Sequence, residues 1–139
     1  MTVVEVDIVI KKFKSHGKCD INIKGNIIVV DAQGPWNLEF VEQLHQDLTV
    51  AVKKVNNHQY FVLIRPYGEA LVVNEGIDYH IHFIKNSHVS AVALNLQHTS
   101  TKSITKNLFE KVYQTAGIEH KFFTCNNLAE QWLLSHPKN

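Results

Sequence analysis

Nine histidines in a chain of 139 residues are the first candidates for chemistry, because imidazole binds metals and exchanges protons near neutral pH. His80 and His82 would share one face of a strand, but on a helix they would point about 200° apart. No carboxylate or cysteine lies at a spacing that completes a ligand set with them. Glu42 and His45 have the spacing of a carboxylate metal site, but such sites need a second copy, which the sequence lacks. We therefore expect structural or solvent-exposed histidines, with Glu42 and His45 as a pair on a helix surface.

Ser103 and Lys106 match the Ser-x-x-Lys pattern of acylating serine enzymes, but the partner motifs Ser-Asp-Asn and Lys-Thr-Gly are absent. The hydroxyl-rich run over residues 99–103 is better explained as helix capping, in which side-chain oxygens accept hydrogen bonds from the free backbone N–H groups of the first turn. With Lys102, the same helix start could alternatively hold an anion. Phosphate loops, dinucleotide fingerprints, G-x-S-x-G and Cys-x-x-Cys motifs are absent, so the sequence predicts no cofactor and a protein that is not an enzyme. An enzyme that uses Ser103 or the histidines stays a third hypothesis.

The charge balance gives no reason to expect a nucleic-acid partner. The chain has 14 basic and 13 acidic residues, and its densest basic stretch, residues 11–18, is expected to be a solvated loop. Cys19 and Cys125 lack metal-ligand spacing and are expected to be reduced thiols in a cytoplasmic protein. Residues 1–7 lack the basic region of a signal peptide, and no apolar run approaches the roughly 20 residues of a membrane span. We therefore expect a cytoplasmic protein without an integral membrane segment.

Apolar runs with a period of two predict the strands. The predicted strands cover residues 3–12, 19–24, 27–32, 60–64, 89–96 and 120–125. Gly25 and Asn26 form a tight turn that makes the second and third strands a hairpin. The continuous apolar run over 27–32 is typical of a strand that is covered on both faces.

Apolar residues at helical spacing alternate with these strands. Asn37 is a good N-cap for a helix that runs to residue 55, and Gly117 is placed as the stop of a later helix. Asn127 and Glu130 resemble a capping box for a final helix. The residues expected to face inward are Val41, Leu44, Leu48, Ala51, Val52 and Val55 in the first helix, Ile104, Leu108, Val112 and Ala116 in the later one, and Leu128, Trp132 and Leu133 in the last.

Residues 69–87 fit either a helix or a strand. Ile77, Ile81 and Ile84 have helical spacing, with Asn74 as a possible cap, but residues 79–83 also alternate. We favour a helix from about 75 to 85, because a crossover between parallel strands needs one. The sequence thus predicts a single-domain α/β fold. Its mixed β-sheet has N-terminal antiparallel hairpin strands followed by βα units, with the helices packed on the sheet.

This order resembles the anti-sigma-factor antagonists and their STAS-domain relatives. It also resembles the bacterial SpoIIAA-like proteins that are grouped with Sec14-type lipid-carrier domains. The most specific part is the stretch from His16-Gly17 through Gly25-Asn26 to Gly34-Pro35-Trp36-Asn37, and residues 129–133 resemble the terminal helix of small uncharacterised members. The resemblance implies one SpoIIAA-like domain over residues 1–139, with a core of about 16–136 and an extra N-terminal strand of about 3–12.

The sequence departs from the signalling members of this family at one turn. Those members carry a phosphorylatable serine after a central strand, where this chain reads Arg65-Pro-Tyr-Gly-Glu-Ala70, without serine or threonine. A kinase-controlled switch of the family's kind therefore has no acceptor hydroxyl here, and no functional residue is carried over.

Four aromatic residues define a tentative ligand pocket, because open α/β sheets bind ligands at the carboxyl ends of strands. They are Trp36, Tyr67, Tyr79 and Phe83, and the alternative is that they only fill the rim of the core. Two functions follow. The first is a non-enzymatic regulatory or protein-interaction module that acts through a protein partner or as a homo-oligomer. The alternative is a carrier or sensor of a small apolar ligand such as a lipid.

Overall fold

The computed structural model describes residues 16–55 and 59–138. Its strands are β1 (Lys18–Lys24), β2 (Ile27–Gln33), β3 (Phe61–Tyr67), β4 (Ala91–Asn95) and β5 (His120–Phe123). Its helices are α1 (Leu38–Val55), α2 (Asn74–Lys85), α3 (Lys102–Ala116) and α4 (Asn126–Leu134). Residues 69–87 thus contain a helix, as favoured, and the predicted strand over 3–12 lies outside the described residues. None of the helices within the described ranges is long and apolar enough to cross a bilayer.

The strands form one mixed sheet in the order β1-β2-β3-β4-β5. β1 pairs with β2 in antiparallel fashion across the turn at Gly25, whose φ is 62°. The pairs β2–β3, β3–β4 and β4–β5 are parallel. The predicted α/β class, with a leading hairpin and following βα units, is therefore confirmed.

Each side of the sheet has its own apolar core, because successive side chains of a strand point to opposite faces. Within the described parts of the chain, one core packs the sheet against α1, α2 and α3, and the other packs it against α4. The first core includes Ile28, Val30, Val62, Val92 and Leu94 from the strands; the second includes Ile27, Val29, Phe61, Leu63, Ala91 and Ala93, with Ala129 and Leu133 of α4. The central strands are thus buried on both faces, as the apolar run over 27–32 predicts.

Strand β3 continues to Tyr67, beyond its predicted end at residue 64. β4 pairs with β3 only as far as Ile64. Farther along, β3 pairs with β2 alone, where Pro66 lies opposite Ala32. Proline has no N–H to donate, so it is tolerated where one side of a strand has no neighbour. The prediction that this strand ends at residue 64 is therefore wrong, and β3 extends three residues farther, to Tyr67.

Two predicted helix signals are confirmed. The Asn37 side-chain Oδ1 accepts the backbone N–H of Phe40 at 3.0 Å, which satisfies one free donor at the start of α1. Gly117 follows α3 with a φ of 73°, and its N–H donates to the carbonyl of Gln114 at 3.1 Å. A left-handed conformation of this kind favours glycine, so Gly117 ends the helix.

Two other predicted caps are wrong. Asn74 lies inside α2 as its first residue and makes no cap. α4 begins after Cys125, so Asn127 is a helical residue rather than a cap. The Glu130 carboxylate, expected to complete a capping box, instead pairs with the ammonium of Lys24 at 2.8 Å.

The hydroxyls at the start of α3 bond inward rather than capping the helix. Thr101 precedes α3 but makes no side-chain hydrogen bond to its N–H groups. Its Oγ1 lies 2.8 Å from Oγ1 of Thr105, which donates to the carbonyl oxygen of Ala70 at 3.1 Å. Thr99 is buried, and its hydroxyl donates to the carbonyl oxygen of Gly68 at 2.9 Å. These bonds fasten the loops around α2 and α3 together.

Two apolar residues expected to face inward are exposed instead. Ile104 is 60% exposed on α3, and Leu128 is 56% exposed on α4. Val112 and Leu133, on the same two helices, are fully buried as predicted. Helix α4 has only nine residues, so its apolar stripe is too short to fix which side turns inward.

Replacement of Asn37 by alanine should lower the free energy of unfolding by about 1 kcal/mol, because the first turn of α1 loses its side-chain acceptor. Urea unfolding of Asn37→Ala against wild type measures this difference. Asn107→Ala, at an exposed position within α3, is the matched control and should change stability by less than about 0.5 kcal/mol. Equal stabilities for the two variants would contradict the capping role.

Candidate functional site

The four aromatic residues of the predicted pocket do not converge on one site. Trp36 is buried beside an internal cavity, and Tyr67 lines a crevice at the carboxyl end of β3. Tyr79 and Phe83 both stack on the imidazole of His45, with ring centroids 5.1 and 3.8 Å away. The structure therefore brings together only Tyr79 and Phe83, and ligand binding by the four residues stays a prediction.

The internal cavity lies between the sheet and helices α1, α2 and α3. Its volume is about 60 Å³, and its wall is almost entirely apolar, with Val62, Val92 and Phe109 among the lining residues. Pockets that bind small molecules typically have volumes of about 300–1,000 Å³. The indole Nε1 of Trp36, which also lines the cavity, is buried without an acceptor among the described residues. In this conformation the cavity is too small for a lipid.

A row of hydrogen-bonded polar side chains crosses the three helices beside this cavity, with its two outer members, His45 and Tyr113, buried. Nε2 of His45 on α1 lies 2.8 Å from Nδ1 of His80 on α2. Nε2 of His80 in turn lies 3.1 Å from the hydroxyl of Tyr113 on α3. His45 is only 4% exposed, so the prediction of a Glu42–His45 pair on a helix surface is wrong.

The sequence carried a signal for this burial. His45 lies four residues after Val41 and three before Leu48, and both were predicted to face inward. Position 45 therefore falls on the apolar stripe of α1. The bond from His45 to His80 had no such signal, since it depends on how α1 packs against α2.

Burial keeps both imidazoles of this row uncharged at neutral pH. It lowers the pKa of His45 to about 3, with a further contribution from His80, and it lowers the pKa of His80 to about 4. The same burial raises the pKa of the Tyr113 hydroxyl. Removal of a charge from water in an apolar interior is costly, so the neutral forms prevail. The side chains of His45, His80 and Tyr113 therefore join three helices through hydrogen bonds between uncharged groups.

The side chains weighed for catalysis or metal binding are not assembled into a reactive group. Ser103 is exposed, and the ammonium of Lys106 lies over the ring of Phe122, 5.7 Å from its centroid. Over residues 16–55 and 59–138, no group of three His, Cys, Asp or Glu side chains is placed to share a metal ion. Cys19 and Cys125 are free, and burial, aided by Asp47, raises the pKa of the Cys19 thiol to about 12. A thiol with so high a pKa is a poor nucleophile.

A groove that combines positive charge with apolar surface lies between the first turns of α3 and α4. Its volume is about 490 Å³, and its wall includes Lys102, Lys106, Phe122, Phe123 and Leu128. None of the described residues that line it is acidic. The ammonium groups of Lys102 and Lys106 form no ion pair within the described ranges. The Lys102 ammonium donates to the carbonyl oxygen of Thr99 at 3.0 Å. The groove therefore has positive charge that no described carboxylate neutralises, beside the exposed Leu128 and the half-buried rings of Phe122 and Phe123.

We predict that the protein loses stability in acid, because the pKa values of His45 and His80 are lowered in the folded protein. As pH falls below about 6.5, both imidazoles take up protons in the unfolded chain. In the folded protein they stay unprotonated until about pH 4 or lower, so unfolding becomes more favourable in acid. Each imidazole thus contributes up to about 1.4 kcal/mol per pH unit to the slope of stability against pH. Urea unfolding between about pH 4 and 7 should show a smaller slope in His45→Phe/His80→Phe than in wild type.

The control for this slope is His82→Gln, at an exposed position of the same helix α2. Its slope should equal that of wild type. The double variant leaves the Tyr113 hydroxyl without its partner, which lowers stability at every pH but does not change the slope. A double variant with the wild-type slope would show that these imidazoles do not stay neutral in the folded protein.

A side chain at the cavity wall should have room for one more methylene group. Val92→Ile should raise the free energy of unfolding by up to about 0.8 kcal/mol, because Val92 lines the void. Val29→Ile makes the same change in the core under α4, away from this cavity, and should destabilise by about 1 kcal/mol or more because the added group has to displace its neighbours. Equal destabilisation by both substitutions, measured by urea unfolding, would argue against a usable void.

Comparison with solved structures relates this arrangement of strands and helices to a known fold. A crystal structure of an uncharacterised DUF3478-family protein from Shewanella loihica, described as SpoIIAA-like in fold, matches with a TM-score of 0.59. The two sequences are 16% identical, and the match covers 88% of this chain and 97% of that chain. No protein-family model and no curated protein matches the chain. At this identity the likeness concerns the fold alone, and the chain has a SpoIIAA-like fold.

Proposed function

We propose that this chain is a non-enzymatic regulatory module that binds an acidic, partly apolar segment of a partner protein in the groove between α3 and α4. The observation that carries this proposal is the pairing of Lys102 and Lys106 with the exposed side chain of Leu128 and the rings of Phe122 and Phe123. Charge selects an acidic partner, and the apolar surface supplies the area that is removed from water.

Two further features support an acidic occupant. The groove lies at the first turns of α3 and α4, where unsatisfied N–H groups give a helix a partial positive charge. The ammonium of Lys121 does not line the groove, but it lies 5.6 Å from the centroid of the Phe123 ring, which does. Positive groups at the rim of such a groove speed the encounter with an acidic segment.

The module proposed here has no serine switch of the antagonist kind. The corresponding stretch, residues 65–70, covers the last residues of β3 and the start of the loop after it, and it contains no serine or threonine. The hydroxyl of Thr99 lies beside this stretch, but it is buried and bonded to the carbonyl of Gly68. Regulation is therefore proposed to act through binding, in the cytoplasm, where the free Cys19 and Cys125 would stay reduced.

The alternative function, a carrier of a small apolar ligand, has the cavity beneath α1, α2 and α3 in its support. The unsatisfied indole N–H of Trp36 would suit a ligand with one hydrogen-bond acceptor. A lipid would require these helices to separate, since the cavity measures only about 60 Å³. Native mass spectrometry of freshly purified protein would show a retained ligand as added mass.

Reversal of the groove's charge should abolish partner binding. Immobilised wild-type protein should capture a partner in near-stoichiometric amount from a lysate of cells that naturally contain it, and Lys102→Glu/Lys106→Glu should lose that partner. Both lysines are exposed, so the substitutions should leave the fold intact, as circular dichroism can verify. Capture should also weaken as salt is raised, because salt screens exposed charges.

The matched control is Lys53→Glu/Lys54→Glu, which makes the same charge change at exposed positions near the end of α1. This variant should retain the partner. Retention by the Lys102→Glu/Lys106→Glu variant would contradict docking in the groove. Sedimentation that shows a homodimer broken by the same variant would assign the groove to a second copy of the chain instead.

A further inference from the structure

Arg65, the only arginine of the chain, is held at the carboxyl end of β3 by a two-point ion pair. Its Nε and Nη2 donate to Oδ1 and Oδ2 of Asp31 on β2, at 2.6 and 2.7 Å. Asp31 and Arg65 are direct partners in the parallel register, on the face of the sheet that α4 covers. A two-point pair of this kind fixes the plane of the guanidinium group.

Among the described residues, the guanidinium group is hydrogen-bonded only to Asp31, and this ion pair uses one edge of that group. Asp31 occupies the edge formed by Nε and Nη2, so the edge formed by Nη1 and Nη2 keeps its donors. That edge can hold a second carboxylate in the same two-point manner. The side chain of Arg65 is 31% exposed and lines a crevice of about 500 Å³, a volume typical of small-molecule sites.

A buried asparagine orients a second donor at this crevice. Oδ1 of Asn95, a residue 2% exposed, accepts the backbone N–H of Gln97 at 3.0 Å, so its Nδ2 must face the other way. That Nδ2 donates to Oδ1 of Asn126 at 2.7 Å. The side-chain oxygen of Asn126 is thereby occupied, and its NH₂ group remains as a donor where Asn126 lines the crevice.

Two loops that are bonded together also line the crevice. The N–H of Gly68 donates to the carbonyl of His98 at 3.4 Å, and Thr99 bonds back to the Gly68 carbonyl. Tyr67 and His98 complete the lining of the crevice. Because both loops are tied down, the polar groups are held in place before any ligand arrives, which lowers the cost of binding.

We propose that this crevice binds the carboxylate group of a small polar metabolite. The two charged side chains that line it cancel, because Arg65 is positive and Asp31 is negative. Glu130 and Lys24, which lie outside the crevice, neutralise each other in an ion pair. Recognition therefore depends on hydrogen-bond donors that are held in fixed directions rather than on net charge. Such an arrangement favours one planar carboxylate over a polyphosphate. The crevice shares no lining residue with the groove between α3 and α4, so this site does not rest on the proposed partner binding.

Nuclear magnetic resonance of the ¹⁵N-labelled protein tests this site with sodium L-lactate as the probe and inorganic phosphate as the counter-probe. The Nε–H signal of Arg65 needs no assignment by mutation, because the chain has no other arginine. Lactate should shift that signal and the side-chain NH₂ signal of Asn126 to saturation. The absence of a saturable shift with lactate, or saturation by phosphate alone, would overturn the proposal.

A substitution that keeps the fold separates binding from stability. Asn126→Asp retains an oxygen for Asn95 but replaces the NH₂ donor with a negative oxygen, so lactate should bind about tenfold more weakly or worse. Asn127→Asp adds the same charge at the next residue, which is exposed, and should change affinity by less than about threefold. An acidic residue at either position is favourable at the start of a helix, so neither variant should unfold. Equal effects of the two variants would overturn the role of Asn126.

Discussion

Burial of both faces of β2, β3 and β4 is the constraint on which the rest of the structure depends. Three helices cover one face of these strands, and α4 covers the other. Strands packed in this way carry apolar side chains along their middle, so polar residues are confined to their ends. Asp31, Arg65 and Asn95 stand at such ends, where side chains still point toward α4 but the apolar core has stopped. Polar side chains of these strands are thereby restricted to the strand ends, and the crevice beside Arg65 lies at the carboxyl ends.

The row of His45, His80 and Tyr113 is the exception to this separation of polar and apolar groups. It connects one residue from each of α1, α2 and α3 through neutral hydrogen bonds beside an otherwise apolar cavity. Bonds of this kind add little net stability, but a misplaced helix would leave them unsatisfied at considerable cost. The row therefore specifies how the three helices pack, which apolar contacts alone would define less strictly.

The carboxyl edge carries two surfaces of different chemistry that meet at α4. The first turn of this helix contributes Asn126 to the polar crevice and Leu128 to the groove with the lysines. One surface suits a small ligand with aimed hydrogen bonds, and the other suits a protein segment with charge and apolar area. The SpoIIAA-like likeness concerns the fold alone, so both surfaces are argued from the residues of this chain.

The sequence by itself determined the order of strands and helices, the mixed sheet, the cap at Asn37 and the stop at Gly117. Periodicity, caps and left-handed turns are local, so a few neighbouring residues specify them. Only the tertiary structure decided that His45 meets His80, that Arg65 meets Asp31, and that Leu128 faces solvent. Each of those outcomes depends on how one element packs against another that is distant in the sequence. A pattern of neighbouring residues carries no information about such contacts.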